Sequence, residues 1–72
     1  AMIEYDIRRY LLAQAVQLTP GIEAPTISPL NDPAWVAVKA MAKKKGMNAL
    51  VDALADLGAK GIVVTDIRTC RL

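Results

Sequence analysis

Histidine and phenylalanine are missing from this 72-residue chain, cysteine occurs once, and only three residues are aromatic. Without histidine there is no Ser-His-Asp or Cys-His nucleophile, no His-ligated metal, and none of the commonest general base near neutral pH. A hydrolase on this chain alone is therefore not expected. Cys70 has no second cysteine to pair with inside the chain, and no His/Cys cluster exists for a structural zinc. Long apolar runs are missing too. None approaches the roughly 20 residues that span a bilayer, and the N-terminus has no charged segment leading into an apolar run and a cleavage site. The expectation is a soluble, cytoplasmic protein whose lone thiol stays reduced. Nine basic against seven acidic residues leave a net charge of +2, too weak a bias for a nucleic-acid-binding surface.

What is present is apolar. With 54% hydrophobic and 22% charged residues, the composition is that of one globular domain, placed over residues 2–72, with Ala1 ahead of Met2 reading as an expression scar. At this size, backbone entropy of roughly 1.5 kcal/mol per residue nearly cancels burial at about 25 cal/mol per Å². With no disulfide and no zinc to help, oligomerisation or attachment to a larger protein is expected.

From Met2 to Ile7 the residues alternate, Ile3, Tyr5 and Ile7 pointing one way and Met2, Glu4 and Asp6 the other, which spells a strand with two unlike faces. Arg8 to Leu18 reads as a helix on its Leu11, Leu12, Ala15 and Val16 stripe, stopped by Thr19-Pro20-Gly21. Proline cannot donate to a ladder, so the segment from Gly21 to Pro33 allows only a short strand, near Pro25 to Pro29. Ala34 to Met41 alternates again. After the Lys43-Lys44-Lys45-Gly46 turn, Met47, Leu50, Val51, Leu54 and Leu57 keep helical spacing, and Gly58 stands where a left-handed cap would end the helix. Lys60 to Ile67 is the last strand.

Strand, helix, strand, strand, helix, strand in about 70 residues most simply gives an α+β, ferredoxin-like βαββαβ sandwich, its antiparallel sheet carrying both helices on one face. By parity, Ile3, Tyr5, Ile7, Val36, Val38, Ile62 and Val64 pack under the helices. Met2, Trp35, Ala37, Met41 and Val63 then lie on the open face, an apolar surface that marks an interface and points to an oligomer built through the sheet.

Four features bear on chemistry. The lysine run, with Arg8, Arg9, Arg68 and Arg71, is a solvated turn or a phosphate contact; cations oppose a helix N-terminus, which puts the run in the turn before the helix. Glu4 and Asp6 share a strand face, either as a solvated edge or as paired carboxylates. Cys70, flanked by Arg68 and Arg71, is an incidental thiol or one of lowered pKa. The segment Gly21-Ile22-Glu23-Ala24-Pro25-Thr26-Ile27-Ser28-Pro29-Leu30 sets small and hydroxylated residues between rigid prolines. It is either a stiff connector or a pre-shaped loop offering N–H groups and hydroxyls to a small polar ligand.

That segment, together with Asp32, Trp35-Val36-Ala37-Val38, Gly58-Ala59-Lys60-Gly61-Ile62 and Asp66-Ile67-Arg68, resembles the C-terminal regulatory domain of long-form ATP phosphoribosyltransferase, the first enzyme of histidine biosynthesis. The likeness runs from about Met2 to Leu72 without an obvious gap. It implies a nitrogen-regulatory-protein-like domain that binds L-histidine for feedback inhibition. The catalytic domains, which hold ATP and phosphoribosyl pyrophosphate and need magnesium, would precede it in the full enzyme. The domain itself would carry no cofactor and no transferase activity, and would assemble as a trimer or hexamer. The family's histidine contacts fall on Asp6, Ile22, Thr26, Met41 and Gly61. The ligand's ammonium then has an acceptor in Asp6 or Thr26, its carboxylate has loop N–H donors, and its ring has an apolar wall in Ile22 and Met41. Gly61 keeps the floor low. The rival expectations are a structural oligomerisation module and a sensor of another small metabolite or nucleotide, using the lysine turn for phosphate.

Overall fold

Alternation of apolar and polar side chains makes β1 (Met2–Arg8) the central strand, with Ile3, Tyr5 and Ile7 fully buried on one side and Met2, Glu4, Asp6 and Arg8 on the other. The computed structural model of the chain describes residues 1–20 and 24–67, so Ile22 and the Cys70 stretch with Arg68 and Arg71 lie outside the described residues. Arg8 belongs to the strand, one residue beyond the expected end. Its partner is Trp35, and the next residue, Arg9, donates its backbone N–H to the Ala34 carbonyl at 2.8 Å. This pairing holds the backbone extended, so a 3-10 turn over Arg9–Leu11 intervenes before α1 (Leu12–Leu18) begins.

Thr19 closes α1. Its N–H is shared between the Ala15 and Val16 carbonyls at 3.2 Å each, and Pro20 cannot continue the helix. The Thr19 hydroxyl is 2.6 Å from the Tyr5 hydroxyl, and the Ala15 carbonyl lies within reach of both, at 3.3 and 3.5 Å, so one hydroxyl donates to the other while that partner donates to the carbonyl. These two hydroxyls are the polar end of an otherwise apolar core, and both are satisfied. Burial pushes the Tyr5 hydroxyl's pKa above 10.0, against a smaller lowering by the Thr19 bond.

β2 (Thr26–Pro29) is short and exposed, as its prolines require. Asp32 then builds the turn into β3 (Trp35–Met41), its carboxylate accepting from the Ala34 N–H at 2.9 Å and its carbonyl from the Trp35 N–H at 3.1 Å. α2 (Met47–Leu57) follows the lysine turn, and Leu54 is its fully buried residue. Gly58, at φ 105, lets the Ala59 N–H reach back to the Leu54 carbonyl at 2.9 Å, a conformation that would cost a side-chain-bearing residue roughly 1–2 kcal/mol. β4 (Lys60–Thr65) stops short of the expected Ile67.

The strand order is β2-β3-β1-β4 with every neighbouring pair antiparallel. Ala15 of α1 and Leu54 of α2 join the odd-numbered residues of β1 and the even-numbered ones of β3 in one core, so both helices cover the same face. This is the expected ferredoxin-like sandwich. Each fully buried aliphatic side chain contributes about 1.5–3 kcal/mol by leaving water. Ile62 packs against this core, whereas Val64, on the same side of β4, is 40% exposed because its strand lies at the sheet edge beside β1 alone. Among the described residues no helix is long and apolar enough to cross a membrane.

Candidate functional site

The uncovered face can be read as rows running across the strands. One row is Thr26, Lys39, Glu4 and Val63; the next is Ser28, Ala37, Asp6 and Lys60. Ala37 offers only a methyl group between Ser28 and Asp6, so longer neighbours stand around a hollow. That hollow is a depression of about 220 Å³ lined by Glu4, Asp6, Thr26, Ser28, Lys39 and Gly61 along with the strand backbone.

Gly61 reaches the depression through an irregularity. The β1–β4 register shifts between Glu4 and Asp6, and Gly61 sits at that shift with φ 60. A β-bulge with a left-handed glycine bends an edge strand and brings its backbone toward a site. A Cβ built on Gly61 would stand 3.7 Å from Asp6 Oδ2, so the glycine leaves the space beside that carboxylate open.

The charges are of both signs. Lys39 Nζ lies 3.5 Å from Glu4 Oε1, with both side chains about half exposed. Such a pair is worth about 0–1 kcal/mol in water. Asp6 makes no ion pair among the described residues. The hollow therefore offers a carboxylate pair, one ammonium and two hydroxyls within a single small-molecule footprint. Among the described residues no three metal-ligating side chains gather.

Of the residues that the resemblance names, Asp6, Thr26 and Gly61 line this one depression, with Thr26 opening β2. Met41 is on the same sheet face but four residues further along β3 than Ala37, about 13 Å away at strand rise. It lines a second cleft of about 340 Å³ with Leu18, Pro20, Lys43, Lys45 and Leu50. Lys44 of the same turn reaches Asp66 at 3.3 Å, both exposed. Of the other lining residues, Ser28 belongs to the hydroxylated segment and Ala37 to the open face that the sequence indicates, whereas Lys39 is not singled out there. Alternation places Lys39 and Ala37 on this face, but only the strand register sets them beside Asp6 and Thr26.

At the far end of the face the half-buried Trp35 ring has the Arg8 guanidinium 4.7 Å and the Lys60 ammonium 5.6 Å from its centroid. Cations over an aromatic face each contribute about 0.5–1 kcal/mol when exposed. Arg9 Nε fixes the neighbouring turn by donating to the Pro33 carbonyl at 2.9 Å. Trp35 is thereby less bare than an open-face tryptophan is expected to be.

Among known families, residues 1–69 match the one described as HisG, C-terminal domain. The ATP phosphoribosyltransferase of Salinibacter ruber is 55% identical over 71 residues, which cover 99% of this chain and 25% of that protein. The enzyme of the same name from Nocardia farcinica is 57% identical over 70 residues, 97% of this chain and 25% of the relative. The chain spans about a quarter of the length of the curated relatives it matches.

Proposed function

The chain belongs to the family of HisG C-terminal domains, and on that premise we propose that it is the regulatory domain of an ATP phosphoribosyltransferase, binding L-histidine as the feedback signal of histidine biosynthesis. The observation that carries this reading is the convergence of Asp6, Thr26 and Gly61 on one depression of the uncovered sheet face. Asp6 accepts from the ligand's ammonium, the Thr26 hydroxyl adds a second polar contact, and Gly61 leaves room for close approach.

The depression, at about 220 Å³, is smaller than the roughly 300–1,000 Å³ of complete small-ligand pockets. A second subunit laid against the open face would close it and could supply the apolar ring wall, Met41 included. The proposal thus includes a homo-oligomer, a trimer or hexamer, working in the cytoplasm. Transferase chemistry, with ATP, phosphoribosyl pyrophosphate and magnesium, belongs to catalytic domains outside this chain. Inhibition follows when histidine binds one arrangement of those domains more tightly than another, since a ligand shifts an equilibrium only by its differential affinity.

The test is thermal melting with L-histidine, other amino acids and ATP in turn. At 100 times Kd a ligand of the folded state adds about 2.7 kcal/mol, a shift of several degrees for a domain this small. L-Histidine alone is expected to give it, and Asp6→Ala is expected to remove it while light scattering reports the same oligomer. A shift with ATP alone would move the site to the cleft of Lys43 and Lys45, and no shift with any of them would leave a structural module.

A further inference from the structure

We propose that Lys39 is the specificity residue that takes the ligand's carboxylate, and that Glu4 holds it ready in the empty site; the inference rests on the amino-acid-binding reading above. Lys39 is the lone cation lining the depression among the described residues. It is flanked in its row by Glu4 on β1 and Thr26 on β2. Asp6 sits opposite Ala37, so Asp6 and Lys39 are diagonal neighbours across β1 and β3, about 7–8 Å apart at the backbone. The other two corners of that square are Glu4 and Ala37, so on the β3 side only a methyl group stands beside the gap. That interval suits the head group of an α-amino acid, whose ammonium and carboxylate point to opposite charges on either side.

The Glu4–Lys39 contact makes this exchange inexpensive. At 3.5 Å and half exposed, it is a solvent-screened pair that a stronger, more enclosed one readily replaces. An incoming zwitterion breaks one ion pair and makes two, its carboxylate on Lys39 Nζ and its ammonium on Asp6, with Glu4 freed to turn toward that same ammonium. A ligand with only one of the two charges makes only one of these pairs: an amine reaches Asp6 alone, and an acid takes Lys39 and leaves Glu4 unpartnered. The site therefore selects a zwitterion over an amine or an acid carrying the same ring.

Isothermal titration of the chain with L-histidine, with histamine, which lacks the carboxylate, and with imidazolepropionate, which lacks the ammonium, reads this directly. The unaltered chain is expected to bind L-histidine at least tenfold more tightly than either analogue. Lys39→Gln is expected to weaken L-histidine about 10- to 100-fold, the loss of one charge-assisted bond, bringing it down to the level of histamine. Lys39→Arg should restore it, and both variants should melt where the unaltered chain does without ligand. L-Histidine affinity within twofold of the original in Lys39→Gln, or histamine bound as well as histidine by the unaltered chain, overturns the assignment alone. No L-histidine binding by the unaltered chain overturns it together with the reading it rests on.

Discussion

The two faces of this sheet are made from the same strands, yet they divide the work. On the helix side Ile3, Tyr5, Ile7, Val36 and Val38 are at most 1% exposed, and the polar groups that reach that side, the Tyr5 and Thr19 hydroxyls, are bonded to each other. On the other side the neighbouring residues Glu4, Asp6 and Lys39, with Thr26 and Ser28, line an open depression. Because side chains alternate along a strand, Glu4, Asp6, Ala37 and Lys39 are each one peptide away from a core residue and share none of its surroundings. The lesson is that substitutions one position apart should have opposite signatures.

The largest effect is expected from the helix side. Leu54→Ala should lower the unfolding free energy by about 2–5 kcal/mol, read from urea denaturation, because a fully buried leucine leaves a cavity behind. A loss below 1 kcal/mol would break the comparison at its base. From the open side, Ala37→Leu should fill the hollow and remove the roughly 2.7 kcal/mol that L-histidine adds at 100 times Kd, with the ligand-free unfolding free energy changed by less than about 0.5 kcal/mol. A ligand response that survives this change would separate the hollow from the site.

Thr19→Val is smaller and sharpens the helix side. It takes away the near partner of the Tyr5 hydroxyl, leaving the Ala15 carbonyl at 3.5 Å, and should cost about 1–2 kcal/mol with histidine binding untouched. The smallest effect is in alkaline solution. Tyr5 holds its proton more tightly folded than unfolded, so its share of stability is complete below pH 10.0 and is lost as pH rises past it. Tyr5→Phe should flatten that part of the pH dependence in denaturant titrations, while the slope below pH 9 stays as it was.

How much of this was legible in the sequence follows the same division. Period-two alternation in Met2 to Ile7 and Ala34 to Met41 places the core, since a half-buried strand has no other way to hide its apolar residues. The stripe from Met47 to Leu57 and its Gly58 cap were equally plain. The site was less so, because alternation says which face a residue takes and not who stands beside it. Lys39 and Ala37 become neighbours of Asp6 and Thr26 through two register relations, and Met41 stands apart from them for the same reason. Arg8 reads as the start of a helix, but its strand pairing with Trp35 keeps it extended, a 3-10 turn takes Arg9–Leu11, and α1 begins only at Leu12.

The bulge at Gly61 has a consequence for the far end of the sheet. Carried on without the shift, the pairing of Ile3 with Val64 and Glu4 with Val63 would bring Lys60 opposite Ile7, with its ammonium aimed beneath the helices. By taking up Gly61 as an unpaired residue, the bulge instead keeps Lys60 out beside Asp6 and over Trp35. The bulge thus spares the interior a cation, and straightening it with every residue kept would force β4 either to bury that charge or to slide along its neighbour.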